Sequence, residues 1–432
     1  MLYFFYDFIQ CVLLLLILPK ILWQNVFYGK FKHCMASYLT LSLPQVAVKK
    51  GRVFLIYAVS MGETRAAVSL FQQIKKKYPK DLFYILSRTE TGHEEAKKSM
   101  KEADGHFLLP IDFSWSMKRF LKRLQPDVVI LIESDFWMNF LRFSKKSGAL
   151  LFLVSGKISL RSFERFKKIA VFSRKLFSFF DLICAQNALC QERFVQLGVD
   201  SSKVQVMGNL KFDAFFSKVN TQILKQTLGI QEKDVVLIVA STHAQEEEAI
   251  LNVLYPLYEK YPYLKVLVVP RHPERFSEVE DLIVKTSIPM ISYSRIHEKN
   301  GDERVILVDA MGVLLSLYQI ANFAILGGSF FKHLKGHNIL EPIQSGIPVI
   351  FGPYMSDQKD LVEYVLTSQA GIQTSLERLL SQVQDLLRDL VFYRFMQKQG
   401  EALSLQIKGA SACMCEALCE KISAFKKETF EI

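Results

Sequence analysis

Cysteine is scarce in this chain and poorly placed for cross-linking. The seven cysteines among 432 residues are an odd number, thinly spread apart from Cys413, Cys415 and Cys419. They offer no disulfide framework and favour a reducing compartment. Cys415 and Cys419 would share a helix face, but no fourth ligand accompanies them, so packing is the better reading than a metal site. Elsewhere no spaced set of His, Cys or Asp demands a metal. No short internal repeat and no low-complexity tract is present, and with 50% apolar and 22% charged residues the chain is neither disordered nor fibrous. Acidic residues are in deficit, 43 against 54 Lys plus Arg, a formal net charge of +11. That excess suits an anionic partner: nucleic acid, a lipid surface or a phosphorylated substrate. The length predicts two domains.

No Lys or Arg precedes Lys20, and among the first 18 residues only Asp7 and Gln10 are strongly polar. A cleaved signal would need a basic start and a small-residue cleavage site, and neither is seen. Eighteen helical residues span about 27 Å, barely a hydrocarbon core. Residues 1–24 are therefore expected to anchor the chain to a membrane, by spanning it or by lying in its interface. Asp7 argues for the shallower arrangement. The nearest positive charges, Lys20, Lys30, Lys32, Lys49, Lys50 and Arg52, all follow the run, which predicts the bulk of the chain on the cytoplasmic side.

From about residue 51, short β-branched apolar runs alternate with longer stretches of helical period. Strands are predicted at 53–59, 82–87, 127–132, 150–154, 182–185 and 204–207. A second series follows at 235–240, 264–269, 305–308, 323–326 and 348–351, with helices such as 65–77, 117–124 and 246–260 between strands. Such alternation means parallel sheets covered on both faces. The expected organisation is an α/β protein of two doubly wound, Rossmann-like domains facing a cleft: 25–212, a linker at 213–234, 235–375, and a helical closure over 376–432.

Ligands of doubly wound sheets bind beyond the carboxyl ends of the strands. Those ends carry Ser60-Met61-Gly62-Glu63, then Glu133 before Phe136-Trp137, then Gly208-Asn209-Leu210-Lys211. In the second half they carry Ser241-Thr242-His243, Pro270-Arg271-His272-Pro273, Asp309-Ala310-Met311-Gly312 and Gly327-Gly328-Ser329. Each has a plainer reading. Gly62-Glu63 also suits a turn and helix cap, Gly327-Gly328-Ser329 suits a tight turn as well as an anion cradle, and Lys211 suits the surface. His272 and His337 suit satisfied loop histidines. Glu133 ends an apolar strand, and a buried carboxylate there calls for a partner or a task.

The sharpest motif is Gly336-His337-Asn338-Ile339-Leu340-Glu341-Pro342, followed by Gly346-Ile347-Pro348. A helix start offers free amides and a positive dipole to a phosphate, and Glu341 can accept hydrogen bonds from ribose hydroxyls. The arrangement resembles the nucleotide-sugar site of GT-B glycosyltransferases, and no Asp-x-Asp metal motif accompanies it.

Taken in order, Ser60–Glu63, Ile132-Glu133-Ser134-Asp135-Phe136-Trp137, Gly208-Asn209-Leu210-Lys211-Phe212, Pro270-Arg271-His272-Pro273-Glu274-Arg275 and Gly336–Glu341 resemble the 3-deoxy-D-manno-octulosonic acid (Kdo) transferases of lipid A biosynthesis. The chlamydial members look most similar. The resemblance implies inverting transfer of Kdo from CMP-Kdo to the lipid A precursor lipid IVA, once or several times in succession. It implies no cofactor, no metal, and work at the bacterial inner membrane with the catalytic domains on its cytoplasmic side. By position, Glu63 matches the general base, and Glu133 and Lys211 match groups credited with stabilising the transition state. Pro270 and Arg271, Met311, Gly312 and Val313, and Asn338, Ile339, Leu340 and Glu341 match CMP-contacting segments. Val313 stands where many relatives carry Glu, which leaves that contact to the backbone, and Ile339 replaces a commoner Pro or Leu.

In that chemistry Lys211 and the amides of Gly327, Gly328 and Ser329 are candidates for neutralising developing charge. The run Lys157, Arg161, Arg165, Lys167, Lys168, Arg174 and Lys175, broken only by Glu164, suits an anionic leaflet and a diphosphorylated acceptor, or simply a solvated helix face. Two rivals are weaker. Another GT-B enzyme, such as an N-acetylglucosaminyltransferase, would share the Glu341 region without Ser60–Glu63 and Gly208–Lys211 together. A membrane-tethered nucleic-acid-binding protein would need an aromatic-studded basic groove that is not seen, so no nucleic-acid partner is expected.

Overall fold

The computed structural model describes residues 2–28, 38, 40, 43–49, 51–213 and 219–430. Lys30, Lys32 and Lys50 of the expected basic flank lie outside the described residues. The chain forms two compact units, one of residues 1–215 with 407–432, the other of residues 216–406.

The first unit is built on seven strands: β1 (Val53–Tyr57), β2 (Leu82–Ser87), β3 (Gly105–Leu108), β4 (Val128–Ile132), β5 (Leu150–Gly156), β6 (Leu182–Ala185) and β7 (Val204–Val206). They pair in parallel in the order β3-β2-β1-β4-β5-β6-β7. The second contains β8 (Val235–Thr242), β9 (Leu264–Pro270), β10 (Met290–Ser292), β11 (Val305–Leu307), β12 (Phe323–Leu326), β13 (Val349–Phe351) and β14 (Gly371–Gln373). Their order is β10-β11-β9-β8-β12-β13-β14, again all parallel.

Burial on both faces explains the continuous apolar runs. Along β1, Val53, Leu55 and Tyr57 enter one core layer while Phe54 and Ile56 enter the other. Three strands escaped the sequence reading: β3, β10 and β14. All three are edge strands of three or four residues. An edge strand needs less apolar surface, so its sequence carries little signal.

The stretch expected to link the domains contains a helix, Thr221–Leu228, capped by Asn220 and ended by left-handed Gly229, and it packs into the second unit through Leu224 and Leu228. Nor do residues 376–432 act as one closure. Helices Leu376–Arg388 and Leu390–Ile407 fall in the second unit, except for Ile407, and Ala410–Phe430 falls in the first. There Met414, Cys415, Leu418 and Ile422 fill one core layer. Asp213 fixes the start of that helix by accepting from the amides of Gly409 and Ser411.

The first helix, Leu2–Tyr28, is docked along one face. Tyr6 donates to Asp112 at 2.8 Å, Asp7 accepts from Asn139 at 2.7 Å and from the Ser114 hydroxyl, and Arg142 lies 3.7 Å from the Tyr3 ring centroid. Its opposite face leaves Phe4, Phe5, Phe8, Leu13, Leu15 and Leu16 exposed. Among the described residues no helix is long and apolar enough to cross a membrane. The second turn of the helix expected to anchor residues 1–24 is hydrogen-bonded to the folded unit. Asp7 is satisfied by protein partners there.

Candidate functional site

In the first unit, helix Met61–Lys77 begins directly after β1. Ser60 caps it, its hydroxyl accepting from the Glu63 amide, while the Glu63 carboxylate turns back to accept from the Val59 amide at 2.7 Å. The cap reading of Glu63 is therefore correct for the backbone, yet one hydrogen bond does not satisfy a carboxylate. Burial pushes its pKa up to about 7. Glu133 and Asp135 add to the rise, while the Val59 amide and Lys211 oppose it.

Glu133 directly follows β4 in a left-handed conformation, φ +63°, a costly backbone for a non-glycine residue. That backbone places its buried carboxylate 2.6 Å from the Lys211 ammonium. Lys211 sits on a short turn, Leu210–Asp213. Asn209 accepts from the Lys211 amide at 2.9 Å, and the hydroxyl of Ser155, also left-handed, donates to Asn209 and accepts from the Leu210 amide. Glu63, Glu133 and Lys211 are thus gathered in one electrostatic cluster. Around it lie Asp135 and Trp137 of the same motif as Glu133, and two residues that the sequence analysis did not single out, Tyr57 and Arg88. Tyr57 and Trp137 both donate to Asp135, and Arg88 stacks 3.7 Å from the Trp137 ring centroid. Arg88 follows the last residue of β2, so the rule that located Glu63 and Glu133 would have found it.

In the second unit, Pro270 closes β9 and is buried; Arg271 follows exposed, its amide donating to Thr242. Met311 is exposed, and Gly312 has φ +84° with open space around it. Asn338 donates to Glu341 at 3.2 Å and accepts from the Leu340 amide. Ile339 and Leu340 are buried, so toward a ligand they can offer backbone only. Side chains able to reach one are Arg271, Met311, Asn338 and Glu341.

Two expectations need correction. The helix opened by the Asn338–Glu341 motif is five residues long, Leu340–Gln344, too short for an extended macrodipole. The glycine-rich loop after β12 is not free to cradle an anion. The amides of Gly328, Ser329 and Phe330 donate to the buried Glu246 carboxylate at 2.6, 3.0 and 2.9 Å. The protein supplies its own anion at that place, and Lys211 alone remains of the groups proposed for neutralising charge.

Residues 35–214 match the family model described as 3-deoxy-D-manno-octulosonic-acid transferase (kdotransferase). The 3-deoxy-D-manno-octulosonic acid transferase of Chlamydophila psittaci is 34% identical over 371 residues, covering 85% of this chain and 84% of that protein. The transferase of the same name from Haemophilus influenzae is 32% identical, covering 82% and 84%. Among solved structures, UDP-GlcNAc 2-epimerase from Neisseria meningitidis aligns with 86% of this chain and all of its own at TM-score 0.62 and 13% identity. At that identity the likeness establishes the fold, two doubly wound units of GT-B type.

Proposed function

This chain belongs to the Kdo transferase family, and from that premise we propose that it transfers Kdo from CMP-Kdo to lipid IVA with inversion, once or several times in succession. The observation that carries the reading is Glu63, a half-buried carboxylate held by one amide and raised to about 7, where a general base for an acceptor hydroxyl works best. In the step, the acceptor oxygen bonds to the anomeric carbon and its proton passes to Glu63. The bond from that carbon to phosphate oxygen breaks with its electron pair, and CMP leaves. Glu133 holds Lys211 at 2.6 Å, keeping one cation at the site without offering a free nucleophile. Arg271 and the 311–313 and 338–341 segments are the CMP contacts.

We also propose that the first unit lies on the cytoplasmic leaflet of the inner membrane through the exposed face of helix Leu2–Tyr28. Tyr6 of that helix stacks on Phe172 at 5.8 Å. Phe172 belongs to helix Ala170–Phe177, which with Leu160–Lys168 exposes Arg161, Arg165, Lys167, Lys168, Arg174 and Lys175. Apolar side chains beside a basic strip suit an anionic leaflet and a phosphorylated lipid.

The experiment is mass spectrometry of lipid IVA after incubation with the full chain and CMP-Kdo. Addition of one or more Kdo masses, unaffected by EDTA, is expected. Product from UDP-N-acetylglucosamine instead would favour the rival glycosyltransferase. Sedimentation with anionic vesicles, lost when Phe5 and Phe8 are both changed to Ser, tests the membrane face.

A further inference from the structure

Two histidines far apart in sequence meet at the carboxyl edge of the second sheet. His243 follows β8 and His337 precedes Asn338; their Nε2 atoms are 2.7 Å apart. The ring planes differ by 15° and the centroids are 5.0 Å apart. Face-to-face rings could not bring two nitrogens that close, so the imidazoles meet edge to edge along one N–H···N hydrogen bond. Backbone has been adapted to seat them. Gly328 has φ +69°, and a Cβ there would fall 2.4 Å from the His337 ring, so a side chain is excluded.

The surroundings are cationic. His272 lies edge-on to His243 at 5.2 Å, and Arg271, Arg275 and His333 act on His243 with the same sign. Neighbouring acids are engaged elsewhere: Glu246 by the three loop amides and Glu247 by Arg275 at 2.8 Å. Burial and these like charges hold His243 below the ordinary imidazole value and His337 at about 4, so the empty pair is neutral at pH 7. Nor is it arranged for a metal. The two rings spend on each other nitrogens a cation would need, and among the described residues no cluster of three metal-binding side chains is found.

We propose that the His243–His337 pair takes up one proton from solvent when the CMP phosphate occupies the donor site, holds it as a shared imidazolium, and so matches the charge gained by phosphate as the sugar departs. This rests on the CMP-Kdo reading and deepens it. The donor phosphate is a diester with one negative charge. Cleavage leaves a monoester, whose second ionisation lies near pH 6, so it is largely dianionic at pH 7. The shared proton is the counterpart of that second charge and returns to solvent when CMP leaves. Arrival of an anion supplies what the pair lacks, a negative neighbour that raises the imidazole pKa.

The test is calorimetric titration of the full chain with CMP at pH 7 in two buffers of different ionisation enthalpy, with cytidine as the phosphate-free control. Uptake of close to one proton per CMP and none for cytidine is expected. CMP affinity should fall as pH rises from 7 to 8.5. Deprotonation of the nucleotide alone would not produce that trend, since it makes the ligand more anionic. His337→Gln should abolish the uptake and weaken CMP on the order of tenfold while leaving cytidine affinity unchanged; His243→Asn should reproduce it if His337→Gln folds poorly. CMP binding without proton uptake, or uptake retained in both variants, would overturn this assignment alone. No CMP binding by the wild-type chain would overturn the donor reading as well.

Discussion

The two sheets place a glutamate at equivalent points and use it in opposite ways. β1 and β8 are the first strands of their units, each flanked by the strand that follows it (β2 or β9 through its helix crossover) and, on the other side, by β4 or β12. Each is followed by a helix with a carboxylate in its first turn, Glu63 in one case and Glu246 in the other. Glu246 is fully buried and receives three loop amides. Glu63 receives one amide and stands beside a second carboxylate. The difference lies in the loop after the neighbouring strand. After β12 the left-handed position is Gly328, whose bare backbone turns its amide toward Glu246. After β4 it is Glu133, whose side chain leads to Lys211. Donor number therefore separates a carboxylate that locks a loop from one that a single amide leaves short of partners.

The largest effect that could break this comparison is on turnover. Glu63→Gln keeps shape and cap but cannot take a proton at neutral pH. Kdo transfer should fall by about 10²–10⁴-fold with CMP affinity nearly intact. Near-normal transfer by the folded variant would move the base elsewhere, with Glu133 first. Next in size is Glu246→Ala, which leaves three buried amides without an acceptor. A loss on the order of 3 kcal/mol or more is expected, read in urea as destabilisation of the second unit, with the near-UV signal of the first unit unchanged.

Much of this contrast was legible in sequence, though unevenly. The central strands announce themselves because they are buried on both faces, and Glu63, Glu133 and Lys211 because each follows a strand end or its loop. Glu246 was not legible as a lock: it opens a run of three acids, Glu246-Glu247-Glu248, which reads as a solvated first turn. The His243–His337 bond spans 94 positions, a contact that only the closed sheet creates. Asp7 spoke against a full span in the sequence, but its partners Ser114 and Asn139 appear only in the fold.

Smaller effects sharpen the same picture. If Glu133 is part of what raises Glu63, Glu133→Gln should move the acidic limb of the kcat/KM profile to lower pH, since it removes a like charge and frees Lys211. A limb that stays near pH 7 would leave burial as the whole cause. Stability gives the smallest signal. The folded pKa of Glu63 is raised, so its penalty grows between the unfolded value of 4.5 and about 7 and is constant above. Glu63→Gln should melt like the wild type at pH 4 and a degree or more higher at pH 8; the reverse order would contradict the desolvated environment.

Helix Ala410–Phe430 completes the first unit after the chain has built the whole second one. On the ribosome, residues 1–215 therefore emerge with one sheet face covered by helix Met61–Lys77 but left open beside β5, and wait while 216–406 are synthesised, roughly 10–40 s at ordinary elongation rates. The second unit can fold in a single uninterrupted pass; the first cannot. Slow elongation through 216–406 should expose Phe152 and Leu210 longest, making the half that carries Glu63 the one that depends on chaperones.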